Sequence, residues 1–340
     1  MSKKPEHILV IRLSAMGDVA MTVPVLRAFT NQYPDVKLTV LTKPFFKPLF
    51  RELANVSVVE AEIKGIHKGV FGLYKLSKSL KKTGFDSVAD LHNVLRSNIL
   101  KFFFFGKKVV QIDKGRAEKK ALTSGELFEQ LKTTHQRYAD VFELLGYPID
   151  LSNPIALKQS KLNPNSIQLI GNNSNPLIGI APFAAFKGKA YPLSQMQRVI
   201  ETLSKEYKVL LFGANGNEAN QLQNIADKND KVINLAGKLN LNDELDVISN
   251  LELMISMDSG NAHLAAMQGV KVLTVWGVTH PFAGFYPFNQ DDRNAILVDR
   301  TKFSKIPTSV YGNIVPEGYE DIFSTISPED ILNKIETILK

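Results

Sequence analysis

The stretch SMDSGNAHLAAMQG, residues 256–269, places small polar residues between a short apolar strand and a helical pattern. A helix that begins near Asp258, Ser259 and Gly260 presents unpaired N–H groups and a partial positive charge, which suit a phosphate. Gly260 would let the backbone approach such a ligand closely. The same residues also fit an ordinary capped loop between a strand and a helix. The stretch alone therefore leaves a ligand site and a structural loop both open.

Three further turns follow strands and carry groups able to do chemistry. Asp18 is the last residue of the turn SAMGD. It could act as a general base, or it could be an acidic residue in the first helical turn that the helix dipole stabilises. Lys187 and Lys189 follow the first strand of the second half, where an ammonium could neutralise a diphosphate or simply be solvated. Glu218 closes the turn GANGNE, where a carboxylate could bind ribose or stabilise a helix. Their shared position after strands favours a binding site, and the glycine spacing disfavours a nicotinamide dinucleotide.

Alternating apolar strands and helical patterns must position these turns. The alternation predicts an α/β fold with parallel sheets joined by right-handed crossovers. It breaks over residues 151–176, which hold three prolines and many Asn and Ser residues, as is typical of a linker. We expect two Rossmann-like domains with their sheets facing a central cleft, over residues 1–160 and 175–325. Residues 326–340 form a closing helix that could pack back on the first domain.

Composition excludes several classes of protein. The chain has 340 residues, 44% hydrophobic and 22% charged, which fits a globular protein too large for one ordinary core. It has no cysteine, which excludes disulfides, cysteine nucleophiles and thiolate metal sites. The opening MSKKPEHILVIRL has a short apolar run that Arg12 interrupts, so we expect a strand and not a signal peptide. No stretch approaches a membrane-spanning length, and we expect a cytoplasmic protein.

Several motifs together resemble one enzyme family. ILVIRLSAMGDVAMTVPVLRAF resembles the opening of the bacterial ADP-heptose:lipopolysaccharide heptosyltransferases, glycosyltransferase family 9. MDSGNAHLAAMQGVKVLTVWGVTHP resembles their signature D-[ST]-G-x-x-H-L-A-A with its following strand and turn. DLHNVLRSN, KAYP and FGANGNE resemble their D-L-x-x-x-x-R-S, K-x-W-P and glycine-rich segments. The matches keep the order of the family from the first strand to Pro281.

The resemblance implies a GT-B fold and an inverting, metal-independent transfer of heptose from ADP-heptose to a lipopolysaccharide inner core, without a cofactor. It makes Asp18 the catalytic base. It makes Lys189 the ligand of the diphosphate, Glu218 that of the ribose and Asp258 that of the donor sugar. The implied phosphate-binding turn is Ser259 and Gly260. His263 belongs to the same signature, and a packed helical histidine is an equal alternative for it.

Four positions depart from the pattern of the family. Tyr191 replaces a tryptophan, and Asn261 stands where proline is common. Val278 and His280 replace the proline and the acid of the turn G-P-T-[DE]-P. These changes bear on the identity of the donor sugar more than on the class of reaction.

The net charge of +7 indicates an anionic partner. The resemblance makes this partner an anionic glycolipid, for which we expect Arg96, Arg116, Lys120 and Arg137 to be ligands. The basic stretch from Lys101 to Lys120 predicts weak, salt-reversible association with the inner face of the inner membrane, with a solvated lysine face as the equal alternative. Its FFFF run could touch lipid or form the buried end of a helix. No nucleic-acid-binding motif surrounds these cations, and we expect no nucleic-acid partner.

Two other functions remain open from the sequence. One is a GT-B enzyme that uses another nucleotide sugar or another glycan acceptor. The other is a non-catalytic nucleotide- or glycan-binding protein of the same fold, against which the presence of both Asp18 and Lys189 argues.

Overall fold

The computed structural model of the chain describes residue 4 and residues 6–171 and 175–340. Residues 1–3 and 5 of the expected first domain, and residues 172–174 of the expected linker, lie outside this description. The chain divides into two compact units. Unit 1 comprises the chain up to Lys114 together with Lys132–Ile155, and unit 2 comprises Gly115–Leu131 together with Ala156–Lys340.

Strands and helices alternate along the described residues, as the sequence predicts. The strands are β1 His7–Ile11, β2 Lys37–Thr42, β3 Val56–Glu60, β4 Ser87–Asp90, β5 Lys108–Gln111, β6 Leu177–Ala181, β7 Lys208–Leu211, β8 Val232–Asn234, β9 Leu253–Met257, β10 Lys271–Trp276 and β11 Ala295–Leu297. The helices are α1 Met16–Ala20, α2 Thr22–Gln32, α3 Gly69–Lys81, α4 Leu95–Phe103, α5 Arg116–Ser124, α6 Thr134–Leu144, α7 Pro164–Ile170, α8 Leu193–Leu203, α9 Asn217–Ala226, α10 Leu241–Ile248, α11 Gly260–Met267 and α12 Pro328–Leu339. Short 3₁₀ helices include Pro44–Phe50 and Lys187–Lys189.

Unit 1 is built on a five-stranded parallel sheet with the order β3-β2-β1-β4-β5. Central β1 pairs with β2 and β4, and its residues from Ile8 to Ile11 are at most 1% exposed. A strand buried on both faces reads as a continuous apolar run, which is how HILVI appears in the sequence. The turn that carries Asp18 follows the carboxyl end of this central strand.

Unit 2 is built on a six-stranded parallel sheet with the order β11-β10-β9-β6-β7-β8. Strand β9 pairs with β6 on one side and with β10 on the other. Because parallel strands end at the same edge, the segments after β6, β9 and β10 meet there, although they are far apart in sequence. These segments carry Lys189, Asp258 and Thr279.

Two local features differ from the sequence-based expectation. The helical pattern DVAMTVPVLRAFTNQYP predicts one helix that starts at Asp18, whereas the structure has two, α1 and α2, that join at Met21. Pro24, in the first turn of α2, has no N–H to donate to the preceding turn. The expected linker contains α7, which starts at Pro164 and is capped by Asn163, whose side chain accepts from the Ser166 N–H. Pro164 contributed to the prediction of a linker, but in the structure it is the first residue of a helix.

Residues 115–131 group with unit 2, whereas the sequence analysis placed them in the first domain. Leu122 and Leu131 form an apolar cluster with Ala283, and the Leu131 N–H donates to the Phe282 carbonyl at 2.9 Å. The Lys119 ammonium lies 4.1 Å from the centre of the Phe285 ring. These contacts over long sequence separation cannot be read from a local pattern.

The closing helix α12 packs against α8 of unit 2. Its Ile331, Ile335 and Ile338 join the hydrophobic core of that unit. Ser327 caps the helix by accepting from the Asp330 N–H at 3.1 Å, and the Asp330 carboxylate accepts from the Ser327 N–H at 2.8 Å. The Ser-Pro-Glu-Asp start read from the sequence is therefore the observed start.

Candidate functional site

Asp18 lies in α1 and pairs with a buried cation. Its Oδ2 is 2.8 Å from Nη2 of Arg12, and the same oxygen accepts from the Ala15 N–H at 3.2 Å. The Asp18 side chain is 31% exposed, whereas that of Arg12 is 8% exposed. Both contacts are to Oδ2, so they fix the direction of the carboxylate and leave Oδ1 for a ligand.

Arg12 is held from more than one side. Its Nη1 donates to the Leu91 carbonyl at 2.7 Å, and its guanidinium lies 5.8 Å from the centre of the Tyr138 ring. The Tyr138 hydroxyl donates to the Asp18 carbonyl at 3.3 Å. Sequence reasoning used Arg12 only to dismiss a signal peptide. A charged residue directly after a fully apolar central strand is the signal that could have marked it.

The next strand end of unit 1 adds a second buried group. Asp90 ends β4, and its Oδ1 accepts from the N–H groups of His92 at 3.0 Å and Asn93 at 2.8 Å. Burial, and next the nearby charge of Arg12, lower the pKa of His92 from its ordinary 6.5 to about 4. His92 therefore stays neutral at pH 7 beside the Arg12–Asp18 pair.

The four cations expected to bind the acceptor are divided between the two units. Arg96 is exposed in the first turn of α4, in unit 1, and Arg116 and Lys120 are exposed on α5, in unit 2. Arg137, on α6 of unit 1, is 4% exposed and pairs with Asp113 at 3.8 Å. Its Nε also donates to the Lys132 carbonyl. Arg137 thus already serves unit 1 as a structural cation.

Unit 2 brings a lysine, a carboxylate and a hydroxyl together at the ends of β6, β9 and β10. Lys189 Nζ lies 3.2 Å from Asp258 Oδ2, and their side chains are 13% and 10% exposed. Thr279 donates its hydroxyl to the same Asp258 oxygen at 2.9 Å. Gly312 has φ +82°, and a Cβ there would collide with the Lys189 side chain. The lysine stem is therefore packed in place, whereas Lys187 is exposed.

The turn of Ser259 and Gly260 opens α11 without a side-chain cap. The Ser259 hydroxyl lies 3.0 Å from that of Ser256 and makes no capping bond to the first turn. The first N–H groups of a helix have no partner within the helix, so this end offers donors to an anion beside Lys189. His263, one turn later, is 7% exposed.

Glu218 lies in the first turn of α9, after β7. Its Oε2 accepts from the Ala214 N–H at 2.7 Å and so closes the glycine-rich turn onto the helix. Strand β7 neighbours β6, so this turn leaves the same edge of the sheet as the segment of Lys189. Glu218 therefore has a structural role through Oε2, and its Oε1 could accept a hydrogen bond from a ribose hydroxyl.

Most of the four departures have a structural role. Tyr191 is 2% exposed, and its hydroxyl donates to the Ile326 carbonyl at 3.0 Å. Val278 is fully buried and donates its N–H to the Gly188 carbonyl. His280 accepts from the Phe282 N–H at 3.2 Å, and burial, followed by the charge of Arg300, lowers its pKa to about 4. Asn261 is half-buried in the first turn of α11.

The described residues include neither a membrane-spanning helix nor a cluster of metal ligands. None of their helices is long and apolar enough to cross a membrane. Nor do His, Asp and Glu side chains in residues 6–171 and 175–340 gather in a group of three or more that could hold a metal ion.

The chain is similar to known glycosyltransferases. The model of the family "Glycosyltransferase family 9 (heptosyltransferase)" matches residues 73–308. Lipooligosaccharide heptosyltransferase 2 of Haemophilus influenzae is 27% identical, over 98% of this chain and 99% of that protein. Lipopolysaccharide heptosyltransferase 2 of Escherichia coli is 23% identical, over 98% of both chains.

Solved structures of this kind have the same fold. The family 9 glycosyl transferase of Veillonella parvula has a TM-score of 0.79 at 22% identity, over 100% of this chain and 98% of that one. The E. coli ADP-heptose lipopolysaccharide heptosyltransferase II has a TM-score of 0.70 at 21% identity, over 98% of both chains. These similarities confirm the expected α/β fold of the GT-B class.

Proposed function

This chain belongs to glycosyltransferase family 9, the heptosyltransferases, and on that premise we propose that it transfers heptose from ADP-heptose to a lipopolysaccharide or lipooligosaccharide inner core. The observation that carries the proposal is the Lys189–Asp258–Thr279 cluster beside the uncapped start of α11. A packed ammonium next to unpaired helix N–H groups is suited to a diphosphate. The donor would thus be bound mainly by unit 2.

In the proposed reaction, Asp18 accepts the proton of an acceptor hydroxyl. The resulting oxygen attacks the anomeric carbon, its bond to the diphosphate oxygen breaks, and the configuration inverts. The ion pair with Arg12 keeps one carboxylate oxygen occupied and aims the other. A fixed base raises the fraction of bound acceptor in a reactive geometry.

Charge develops on the leaving diphosphate, and Lys189 with the first N–H groups of α11 would meet it. Asp258 holds Lys189 before the donor arrives, and the Thr279 hydroxyl in turn donates to Asp258. Because these groups neutralise the leaving group, we propose that no divalent metal is needed. Transfer should therefore persist in EDTA, and loss of turnover that Mg²⁺ or Mn²⁺ restores would contradict this part of the proposal.

The acceptor is proposed to be an anionic glycolipid, in line with the net charge of +7. Such a lipid lies in a membrane, and we place the enzyme at the cytoplasmic face of the inner membrane as a peripheral protein. Arg96 and the exposed cations of α5 remain the proposed contacts to the acceptor.

A transfer assay tests the substrates directly. Purified protein is incubated with ADP-heptose, ADP-glucose and UDP-glucose, each with a series of truncated lipopolysaccharides. We expect turnover with ADP-heptose and an inner-core acceptor, and NMR of the product should show inversion at the anomeric carbon. If only ADP-glucose or UDP-glucose supports turnover, that nucleotide sugar is the donor and ADP-heptose is not. If ADP-heptose binds without turnover, a non-catalytic binding protein is favoured.

A further inference from the structure

The most exposed large apolar side chains of the described residues cluster in one part of unit 1. Phe105 is 97% exposed, Phe71 86%, Phe102 80% and Leu95 76%. Phe71 lies on α3, Leu95 and Phe102 lie on α4, and Phe105 follows α4 directly. Exposed aromatic side chains gathered in this way mark a binding surface more often than single exposed residues do.

The two helices that carry these side chains, α3 and α4, pack together. The ring of Tyr74, on α3, lies 5.4 Å from that of Phe103, on α4, and Phe103 lies 5.8 Å from Phe102. We call Phe71, Tyr74, Phe102, Phe103 and Phe105 the aromatic surface.

The opposite sides of the two helices are fully used by the core. Leu73, Leu76 and Leu80 of α3 and Leu100 of α4 are at most 2% exposed, and Phe104 is 1% exposed. The FFFF run is therefore divided: Phe104 enters the core and Phe103 packs against it half-buried, whereas Phe102 and Phe105 are exposed. A helix end that only needed to pack would not expose a phenylalanine at 97% and another at 80%.

The charge around the aromatic surface has one sign. Residues 63–85 and 91–112 contain no Asp or Glu. They contain ten Lys or Arg residues, which are Lys64, Lys68, Lys75, Lys78, Lys81, Lys82, Arg96, Lys101, Lys107 and Lys108. The only carboxylates between these two segments, Asp86 and Asp90, accept backbone N–H groups. The ten cations exceed the net charge of +7 of the whole chain, so the remaining residues together carry a small net negative charge. Lys78 lies over the Tyr74 ring at 4.6 Å, so cation and aromatic ring share one face of α3.

We propose that the aromatic surface and its lysines dock unit 1 onto an anionic lipid bilayer. Phenylalanine side chains would enter the boundary between headgroups and acyl chains, while the lysines bind lipid phosphates. Docking two copies of this chain through the same surface would instead bring cations against cations, which disfavours a symmetric dimer here. Charge complementarity thus selects the bilayer as occupant.

The inference deepens the proposed function, on which its purpose rests, because it brings the enzyme to a lipid-borne acceptor. The basic stretch expected to bind the membrane ran from Lys101 to Lys120. The inference limits it to residues 101–114, because the residues from Gly115 onward belong to unit 2. No residue of the proposed transfer chemistry belongs to the aromatic surface.

Co-sedimentation with vesicles tests the apolar part. Wild-type protein should bind vesicles of phosphatidylglycerol and phosphatidylethanolamine at low salt, and bind phosphatidylcholine vesicles weakly. The Phe102→Ser/Phe105→Ser variant should bind anionic vesicles at least about tenfold more weakly, because the lost apolar burial sets the partition coefficient. Phe45→Ser, which alters another exposed phenylalanine of unit 1 (61% exposed), is the matched control and should bind like wild type.

Charge reversals test the electrostatic part. Each cation near an anionic surface contributes about fivefold to binding, so Lys78→Glu/Lys81→Glu should weaken it by about 25-fold or more. Lys302→Glu/Lys305→Glu makes the same change of net charge in unit 2 and should have a much smaller effect. Raising the salt concentration should weaken wild-type binding and narrow the difference between the two variants.

Two further measurements separate this inference from the transferase proposal. With a water-soluble, delipidated acceptor, Phe102→Ser/Phe105→Ser should keep wild-type turnover, whereas Asp18→Asn should lose turnover yet still bind vesicles. If the double variant fails to fold, as judged by its circular dichroism and thermal unfolding, Phe71→Ser on the other helix replaces it.

The inference is overturned if the serine variants and wild type bind anionic vesicles equally. It is also overturned if sedimentation velocity shows wild-type dimers that the serine variants convert to monomers, with lipid binding unchanged. In that case a second copy of the chain is the occupant.

Discussion

Asp18 in unit 1 and Asp258 in unit 2 both follow a central strand, but they pair with different kinds of cation. Asp18 lies in the first helix after central β1, Asp258 lies between β9 and α11, and each pairs with one cation, at 2.8 Å and 3.2 Å. The cation of Asp18 is Arg12, which also donates to the Leu91 carbonyl, and this second hydrogen bond fixes the position of the guanidinium. The cation of Asp258 is a lysine, and Thr279 donates to the same carboxylate oxygen.

The difference indicates two kinds of work. A guanidinium bound on two sides is a permanent support that aims Asp18, whose side chain is 31% exposed. A lysine ammonium is a compact charge with three donors, so Lys189 can turn toward a phosphate while Thr279 continues to satisfy Asp258. The first pair suits a base with a fixed direction, and the second suits a ligand site that exchanges partners.

The largest effect should come from Asp18→Asn. The amide keeps the shape and can still accept from the Ala15 N–H, but it cannot take a proton, so kcat should fall about 10²–10⁴-fold. ADP affinity should stay at the wild-type value, measured by calorimetry. Near-normal turnover at saturating substrates would remove Asp18 from the role of base.

Arg12→Lys should come next, with a fall in kcat of about tenfold or more. A lysine keeps the charge but cannot hold Asp18 and the Leu91 carbonyl in the same planar geometry, so the carboxylate loses its direction. Steady-state kinetics should show the loss in kcat, with the KM for the donor unchanged.

Tyr138→Phe is the control for Arg12→Lys. It removes only a hydroxyl that donates to the backbone carbonyl of Asp18, at 3.3 Å, and kcat should change little. Equal losses in the two variants would show that Arg12 acts through folding and not through the direction of Asp18.

Lys189→Ala should weaken ADP binding about 10–100-fold and leave adenosine binding unchanged. A charge-assisted hydrogen bond to phosphate contributes about 1.5–3 kcal/mol to binding. Adenosine has no phosphate and does not make this bond, so its affinity should not depend on Lys189. Calorimetry with both ligands measures the difference, and Lys187→Ala, in an exposed neighbour, should bind ADP like wild type. Parallel losses for ADP and adenosine would contradict the phosphate role.

Thr279→Val should weaken donor binding by a smaller amount, about two- to tenfold. Valine keeps the shape but removes the hydroxyl that satisfies Asp258 when Lys189 turns away. The salt bridge then has to hold Lys189 more tightly, which opposes its transfer to phosphate. A tighter ADP complex in this variant would contradict the exchange of partners.

Stability at low pH should also change, because each unit has a buried histidine whose pKa is strongly lowered. The pKa values of His92 and His280 are both about 4 in the folded protein. Unfolded histidines have a pKa near 6.5, so between about pH 6.5 and pH 4 the unfolded state binds more protons and stability falls as pH falls. The free energy of unfolding should lose at most about 1.4 kcal/mol per pH unit for each histidine.

Denaturant unfolding of wild type, His92→Gln and His280→Gln between pH 7 and pH 4.5 measures this slope. Each variant should lose part of the dependence on pH. A slope that neither substitution reduces would assign the acid sensitivity to other groups.

The sequence by itself determined the architecture and the places where chemistry could occur. Apolar runs of strand length, separated by helical patterns, predicted ten of the eleven strands among the described residues, and polar turns after strands marked Asp18, Lys189, Glu218 and Asp258. Such patterns are readable because burial on a sheet and on a helix imposes a local period. The family motifs then identified the class of enzyme, which the comparisons confirm.

The tertiary structure decided which groups are partners. Asp258 and Thr279 are 21 residues apart, and Lys189 is further still, yet parallel pairing of β6, β9 and β10 brings their following segments to one edge. In the same way, apolar contacts with Ala283 and its neighbours assign residues 115–131 to unit 2. Arg12 shows its role only through the Leu91 carbonyl and Asp18. The burial and the contacts of a side chain depend on residues that are distant in sequence. A local sequence pattern can therefore identify a polar turn but cannot identify the residues that its side chains contact.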